Sequence, residues 1–346
     1  MEIAVRQKLE TLQVWRGVAA LLVVLFHAAG TIGSEKYGGR VLFGDFFSWG
    51  HAGVQFFFVL SGFIILWVHR NEIGRPERFA RYSVKRFTRI YPVYWVVLGA
   101  LLAIYLVVPT LGAGHETDAP VVIGSILLVG DVNPTLAVAW TLFHEVLFYA
   151  MFGLLVLNRP LGAVAMLLWF GACLVGGATY ALSIINILFL FGMFAAWLAA
   201  GRIRLPALGL AVAGFVGFLA TGVGEWQGVF LRNDAPSTLL YGLSALLLVV
   251  GSVRCESEGQ ITAVPRALTF LGDASYSLYL IHYPVISIVA KIAGGLPAMA
   301  VFAAMIAASV GAGAALHLLA EKPLLSFANR ARAAWPTSAS ATPPSA

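Results

Sequence analysis

The chain has 346 residues, 60% of them hydrophobic and only 11% charged, with a mean hydropathy of +0.87. That is more apolar surface than a soluble domain buries, and the apolar runs do not alternate as the ~10-residue strands of an outer-membrane barrel do. The net charge of +6 reads as basic residues flanking membrane segments rather than a nucleic-acid footprint, and the two cysteines, Cys173 and Cys255, offer neither a metal framework nor an expected disulfide.

An all-α polytopic membrane bundle follows, with about ten spans at 12–31, 51–69, 90–108, 136–157, 161–178, 182–200, 205–223, 238–253, 267–291 and 297–320. The first run is long and others follow it, so it reads as an uncleaved helix rather than a signal peptide. The segment 121–130, between Pro120 and Pro134, is too short to cross a ~30 Å hydrocarbon layer and reads as a re-entrant or surface helix. Residues 1–332 form one membrane domain. Residues 333–346, rich in Ala, Ser, Thr and Pro, read as a disordered tail.

Charge orients the bundle. Arg6, Lys8 and Arg16, the run from Arg70 to Arg89, Arg159, Arg202, Arg204, Arg254, Arg266, Lys322, Arg330 and Arg332 fall on one face and supply 18 of the 22 basic residues. Only Lys36, Arg40, Arg232 and Lys291 fall on the other. Both termini are therefore expected in the cytoplasm, with Cys255 in a cytoplasmic loop.

The first span, LQVWRGVAALLVVLFHAAG, carries Arg16 and His27. Eleven residues at 100° each is three turns plus about 20°, so the two side chains share one face about 16 Å apart. A guanidinium in hydrocarbon costs roughly 2.5–3.5 kcal/mol on insertion scales and usually faces a cavity. Arg16 is alternatively an interfacial anchor, and His27 a helix–helix hydrogen bonder. At the mouth of span three, RFARYSVKRFTRIYPVYW places Arg86 and Arg89 three apart on one helix face. They are either topogenic charges or a fork for phosphate. Span four holds Glu145 in WTLFHEVLFYA, and span nine holds His282 in GDASYSLYLIHYPV. Counted by depth, Glu145, His27 and His282 all fall in the outer half of the bilayer, so an acid–base cluster of one carboxylate and two imidazoles is expected.

Trp140 and Tyr149 offer flat faces for a sugar or a coenzyme ring, with an interfacial belt as the other reading. Ser61, Ser275 and Ser277 read as helix-packing residues, with a nucleophile as the alternative. His51, His69 and His115 read as span-end or loop residues without chemistry, His317 as structural, and Asp273 and Glu321 as helix-end residues. The role of His144 stays open.

In this order, the arginine–histidine pair, HAGVQFFFVLSGFI, RFTRIYPVYW, AWTLFHEVLFY, LGDASYSLYLIHYPV and EKPL make the sequence resemble the integral-membrane acyltransferase family 3, which includes bacterial O-antigen and exopolysaccharide O-acetyltransferases. The resemblance covers nearly the whole chain. It implies ten core spans in the cell inner membrane. It also implies transfer of an acyl group, acetyl by default, from cytoplasmic acyl-CoA to a hydroxyl of an extracytoplasmic glycan or lipid-linked sugar. Acyl-CoA is then a co-substrate, with no tightly bound cofactor, metal or nucleic acid.

By position in the motifs, His27 would be the catalytic histidine and Arg16 its partner. Arg86 and Arg89, with Arg16, would hold the coenzyme, and Glu145 would be the carboxylate of the motif opening at Trp140. Glu145 is expected to orient His27 or stabilise its imidazolium, with His282 in the same catalytic group. Gln13 and Gln55 depart from the pattern, being neutral amides where many members carry an acid. Two other readings fit the same polar residues. One is a proton-coupled transporter relaying through His27, Glu145 and His282. The other is a membrane cytochrome with His27 and His282 as axial ligands.

Overall fold

The computed structural model describes residues 9–35, 39–130, 133–177, 179–201, 206–293 and 295–333. The basic residues Arg6, Lys8, Lys36, Arg202 and Arg204, and the expected tail from residue 334 onward, lie outside the described residues. Among those described there are thirteen α-helices and no β-strand. In chain order they are α1 (Glu10–Gly33), α2 (Ala52–His69), α3 (Phe79–Val107), α4 (Ala119–Leu127), α5 (Trp140–Leu157), α6 (Arg159–Val175), α7 (Ile187–Ala200), α8 (Ala207–Trp226), α9 (Ala235–Ser257), α10 (Arg266–Asp273), α11 (Ser275–Ile292), α12 (Ala298–Leu316) and α13 (Lys322–Ala333).

Each predicted segment falls on helix. Seven helical stretches are long and apolar enough to cross a membrane: Glu10–Gly33, Phe43–Glu72, Pro76–Val107, Ala137–Leu157, Ala207–Trp226, Ala235–Ser257 and Ala298–Arg332. Arg159–Val175 and Ile184–Ala200 are apolar but shorter. The outward faces carry bare aliphatic side chains, such as Val164, Leu167 and Leu168 of α6. Lipid accepts such a surface and water does not, and the protein is a multi-pass membrane protein.

Two expected spans differ in detail. The segment 267–291 is not one helix but α10 and α11, separated at Ala274 (φ −80°, ψ −3°). α10 is pressed against the start of α1, where a Cβ on Gly272 would lie 1.9 Å from the Gln13 carbonyl. The last span does not stop near residue 320. α12 runs through a π-turn at His317–Glu321 into α13. Pro323 lacks the N–H that would bond the Leu319 carbonyl, and its ring needs extra room there. The widened turn just before it is a known way to carry a helix past such a defect.

The bundle interior is built on close backbone approaches. α2 and α7 cross at reciprocal glycines. A Cβ on Gly62 would sit 2.1 Å from the Phe189 carbonyl oxygen, and one on Gly192 would sit 1.9 Å from that of Val59. Without a hydrophobic drive between helices in lipid, such small-residue contacts supply the packing.

Helix ends are capped from a distance. Glu256 near the end of α9 accepts from the Glu10 and Thr11 N–H groups at 2.9 and 3.0 Å, placing a carboxylate on the α1 N-terminus. Arg254 Nη2 donates to the Leu198 and Gly201 carbonyls at 2.8 and 2.7 Å, closing the end of α7. Cys255, expected in a loop, is buried inside α9 instead. The nine-residue α4 matches the expected short helix. Its terminal carbonyls at Ser125, Ile126 and Leu127 accept from Tyr94, Trp95 and Tyr91 of α3. Those aromatic groups of the RIYPVYW stretch thus tie α4 to α3.

Candidate active site

One face of α1 borders two cavities, and the 100° arithmetic that pairs Arg16 with His27 holds in three dimensions. The first cavity, of about 410 Å³, is lined by Arg16, Arg86, Arg89, Glu145 and Tyr149, together with Ser61, Ser275 and Tyr276. The second, of about 160 Å³, is lined by His27, His51, Gln55, Trp140, Arg232 and Asn233. Val54 and Tyr279 line both. The Tyr279 hydroxyl lies 2.9 Å from Thr141 Oγ1 and donates to the Val138 carbonyl at 3.0 Å, which fixes the ring in the partition.

In the arginine cavity the cations outnumber their partners. Arg89 Nη1 donates to Glu321 Oε1 at 2.8 Å. Arg16 Nη1 donates to the neutral Gln13 at 2.9 Å. The Arg86 guanidinium lies over the Tyr149 ring, 5.6 Å from its centroid, and its Nε has no hydrogen-bond partner. Glu145 accepts from Ser61 at 3.1 Å and from the Tyr149 hydroxyl. Guanidinium groups whose donors face a neutral amide and an aromatic ring can also hold an anion.

The expected contact between Glu145 and the histidines is not formed. His27 and His282 meet, whereas Glu145 faces the arginine cavity, because contact depends on the azimuth of each helix as well as on position along it. His27 instead meets His282 directly, with Nδ1 of His27 3.1 Å from Nε2 of His282. Hydrogen bonds then assign the tautomers. His282 Nδ1 faces the Tyr279 and Leu278 carbonyls at 2.7 and 3.2 Å, and carbonyls only accept, so that nitrogen carries the proton and Nε2 keeps its lone pair. His27 Nδ1 faces that lone pair and the Val23 carbonyl at 3.0 Å, so it too is protonated. Neutral His27 therefore holds its basic lone pair on Nε2, which has no partner among the described residues.

Trp140 stands with His27 and Tyr149 with the arginines, so the two expected aromatic groups divide between the cavities. Ser61 and Ser277 also serve carboxylates, Ser61 donating to the half-buried Glu145 and Ser277 to the buried Glu321. Ser275 Oγ is buried without a partner in the arginine cavity wall. Glu321 is no helix-end residue. It is 1% exposed on the π-turn and accepts from Arg89, Ser277 (2.7 Å) and His317 (2.9 Å). His144, with Nδ1 2.8 Å from Asn186 Oδ1, ties α5 to the start of α7.

Sequence reading missed the far half of the histidine cavity. His51 Nε2 lies 2.8 Å from Glu225 Oε2, which also accepts from Tyr241 at 3.0 Å. The available signal was spacing, because His51 and Gln55 are four residues apart and so share a helix face. At the cavity lip, Arg232 lies over the Phe26 ring at 5.5 Å. Neighbouring Asp234 serves the α9 N-terminus instead, accepting from Ser237 and Leu231 N–H at 2.7 and 3.2 Å. Its slight burial works against ionisation, but these N–H bonds outweigh it and hold the carboxyl below the ordinary range.

The chain belongs to the acyltransferase domain family (acyltransferase family 3), whose match spans residues 9–318 and so takes in both cavities. Among curated relatives, it is 34% identical over 325 residues to the exopolysaccharide production protein ExoZ of Rhizobium meliloti (strain 1021), covering 87% of this chain and 94% of that one. It is 27% identical to the acyltransferase MdmB of Streptomyces mycarofaciens over 335 residues, 82% of this chain and 83% of MdmB. No solved structure matches it.

Proposed function

We propose that the protein is an O-acyltransferase of the cell inner membrane. It moves an acyl group, acetyl in the simplest case, from cytoplasmic acyl-CoA to a hydroxyl of an extracytoplasmic glycan or lipid-linked sugar. Ten spans with both termini in the cytoplasm fit this reading, since the ten predicted segments are all helical and basic residues crowd one face. The arginine cavity then opens toward the cytoplasm and takes the coenzyme, with Arg16, Arg86 and Arg89 on its phosphates. The thioester reaches the Tyr279 partition, and the acceptor enters the histidine cavity.

His27 Nε2 takes the proton of the acceptor hydroxyl as its oxygen attacks the thioester carbonyl. The tetrahedral adduct collapses, the C–S bond breaks, and the imidazolium returns its proton to the departing coenzyme thiolate. His282 holds His27 in the reactive tautomer. Glu145 balances charge among the guanidiniums and is not the orienter of the base. The observation carrying this reading is His27 in the wall of one cavity, its Nε2 without a partner among the described residues, with Tyr279 and Val54 shared between that cavity and another lined by three arginines.

The test compares surface-glycan mass in cells with the native gene, a deletion and His27→Ala. Deletion and His27→Ala are expected to lose the same acyl mass from the same residue. Equal spectra for native and His27→Ala would remove His27 from the chemistry.

A further inference from the structure

Among the described residues lining the histidine cavity, Gln55 is a buried polar side chain left without any hydrogen bond. Gln55 of α2 is 0% exposed, forms part of the cavity wall, and has no hydrogen-bond partner at either Nε2 or Oε1. Leaving a buried carboxamide unpaired costs the desolvation of both groups, and an apolar side chain of similar length would fill the space at no such cost. The neighbours do not relieve it. His51, one turn earlier, is committed to Glu225, and His27 to His282 and Val23.

We propose that Gln55 binds the acceptor, its carboxamide holding two neighbouring hydroxyls of a sugar ring so that one hydroxyl faces His27. The inference rests on the acyltransferase reading above and adds to it the residue that holds the acceptor ring. A carboxamide offers donors at one end and an acceptor at the other. A pair of hydroxyls satisfies both ends, because each hydroxyl both donates and accepts. A carboxylate or phosphate would satisfy Nε2 and leave Oε1 unpaired. Trp140, 41% exposed and lining the same cavity, supplies the flat apolar face against which a sugar ring packs. The cavity volume of about 160 Å³ suits one ring and not a longer stretch of glycan.

The test uses the full-length protein in detergent, acetyl-CoA as donor and alkali-deacylated surface polysaccharide of the host as acceptor. Gln55→Met replaces the carboxamide with an apolar side chain of nearly equal length. The KM for the polysaccharide is expected to rise about tenfold, the effect of one or two lost neutral hydrogen bonds, while the KM for acetyl-CoA stays put. The melting temperature should hold or rise, since an unpaired buried group has been removed. A lower kcat at saturating polysaccharide with unchanged KM would overturn the proposal and make Gln55 a donor to the tetrahedral oxyanion. An unchanged KM with a lower melting temperature would overturn it in favour of a buried water bridging the amide. If Gln55→Met does not fold, Gln55→Ala is measured in the same way, and loss of folding in both makes the carboxamide structural. Native rates in His27→Ala would instead sink the underlying acyltransferase mechanism, whatever Gln55 does.

Discussion

On one side of Tyr279 the walls carry Arg16, Arg86 and Arg89, and on the other they carry His27, His51 and Gln55. A guanidinium stays charged in either setting, so the first cavity must compensate it. Glu321, Glu145 and the Tyr149 ring do so only in part. An imidazole can be neutral, and the second cavity uses this freedom. Its two touching histidines are ordered by hydrogen bonds alone, with carbonyls at one end and a bare lone pair at the other. The contrast separates tasks that conflict at a single point. Phosphate binding wants several guanidinium groups together, whereas His27 shares its cavity with one, Arg232.

The largest effect that tests this separation is on the base. His27→Ala should lower acyl transfer roughly 10²–10⁴-fold while the KM for acyl-CoA stays near native, measured with purified protein. A parallel loss of acyl-CoA binding would mean that the cavities are not distinct in function. Next is Glu321→Ala. It strips three hydrogen bonds from a group that is 1% exposed and leaves Arg89, 31% exposed, without its counter-ion. Breaking a buried pair costs about 3 kcal/mol at the lower end of the usual range, appropriate because the cavity partly hydrates Arg89. The readout is the melting temperature in detergent. The catalytic step itself should survive in whatever fraction stays folded. Arg86→Ala comes third. Its guanidinium is otherwise spent only on an aromatic face, so its loss should raise the KM for acyl-CoA about tenfold or more, with little change in acceptor KM.

How much of this was legible in the sequence depended on the coordinate being read. Azimuth along a single helix was legible, and so Arg16 and His27 were rightly put on one face. Contact between helices was not. Glu145 lies at a plausible depth yet turns to Ser61 and Tyr149, and no residue count gives the rotation of α5 against α1. The break at Ala274 comes two residues after Gly272, but the docking of Gly272 on Gln13 that accompanies it is a contact between helices. Glu321 read as a helix end because Pro323 normally stops a helix, whereas the π-turn carries the chain onward and buries the carboxylate. Gln55 stands out in the sequence as a neutral amide, but its isolation is a property of the packed cavity.

The smallest expected effect falls on the partition itself. Tyr279→Phe keeps the ring between the cavities and removes the hydroxyl. Thr141 Oγ1 already donates to the Val138 carbonyl at 3.1 Å, so neither partner is orphaned by the change. Stability should therefore fall only by about 0.5–1.5 kcal/mol, the worth of one neutral hydrogen bond. The ring would no longer be pinned, and water should reach the thioester more often. The measurable sign is acyl-CoA hydrolysis rising a few-fold relative to transfer, with both KM values near native. Tyr279→Ala carries the same logic further by joining the two cavities, and longer acyl chains should then be accepted. If neither variant alters the ratio of hydrolysis to transfer or the accepted chain length, the thioester does not meet the acceptor at Tyr279, and the route between the arginines and His27 runs elsewhere in the bundle.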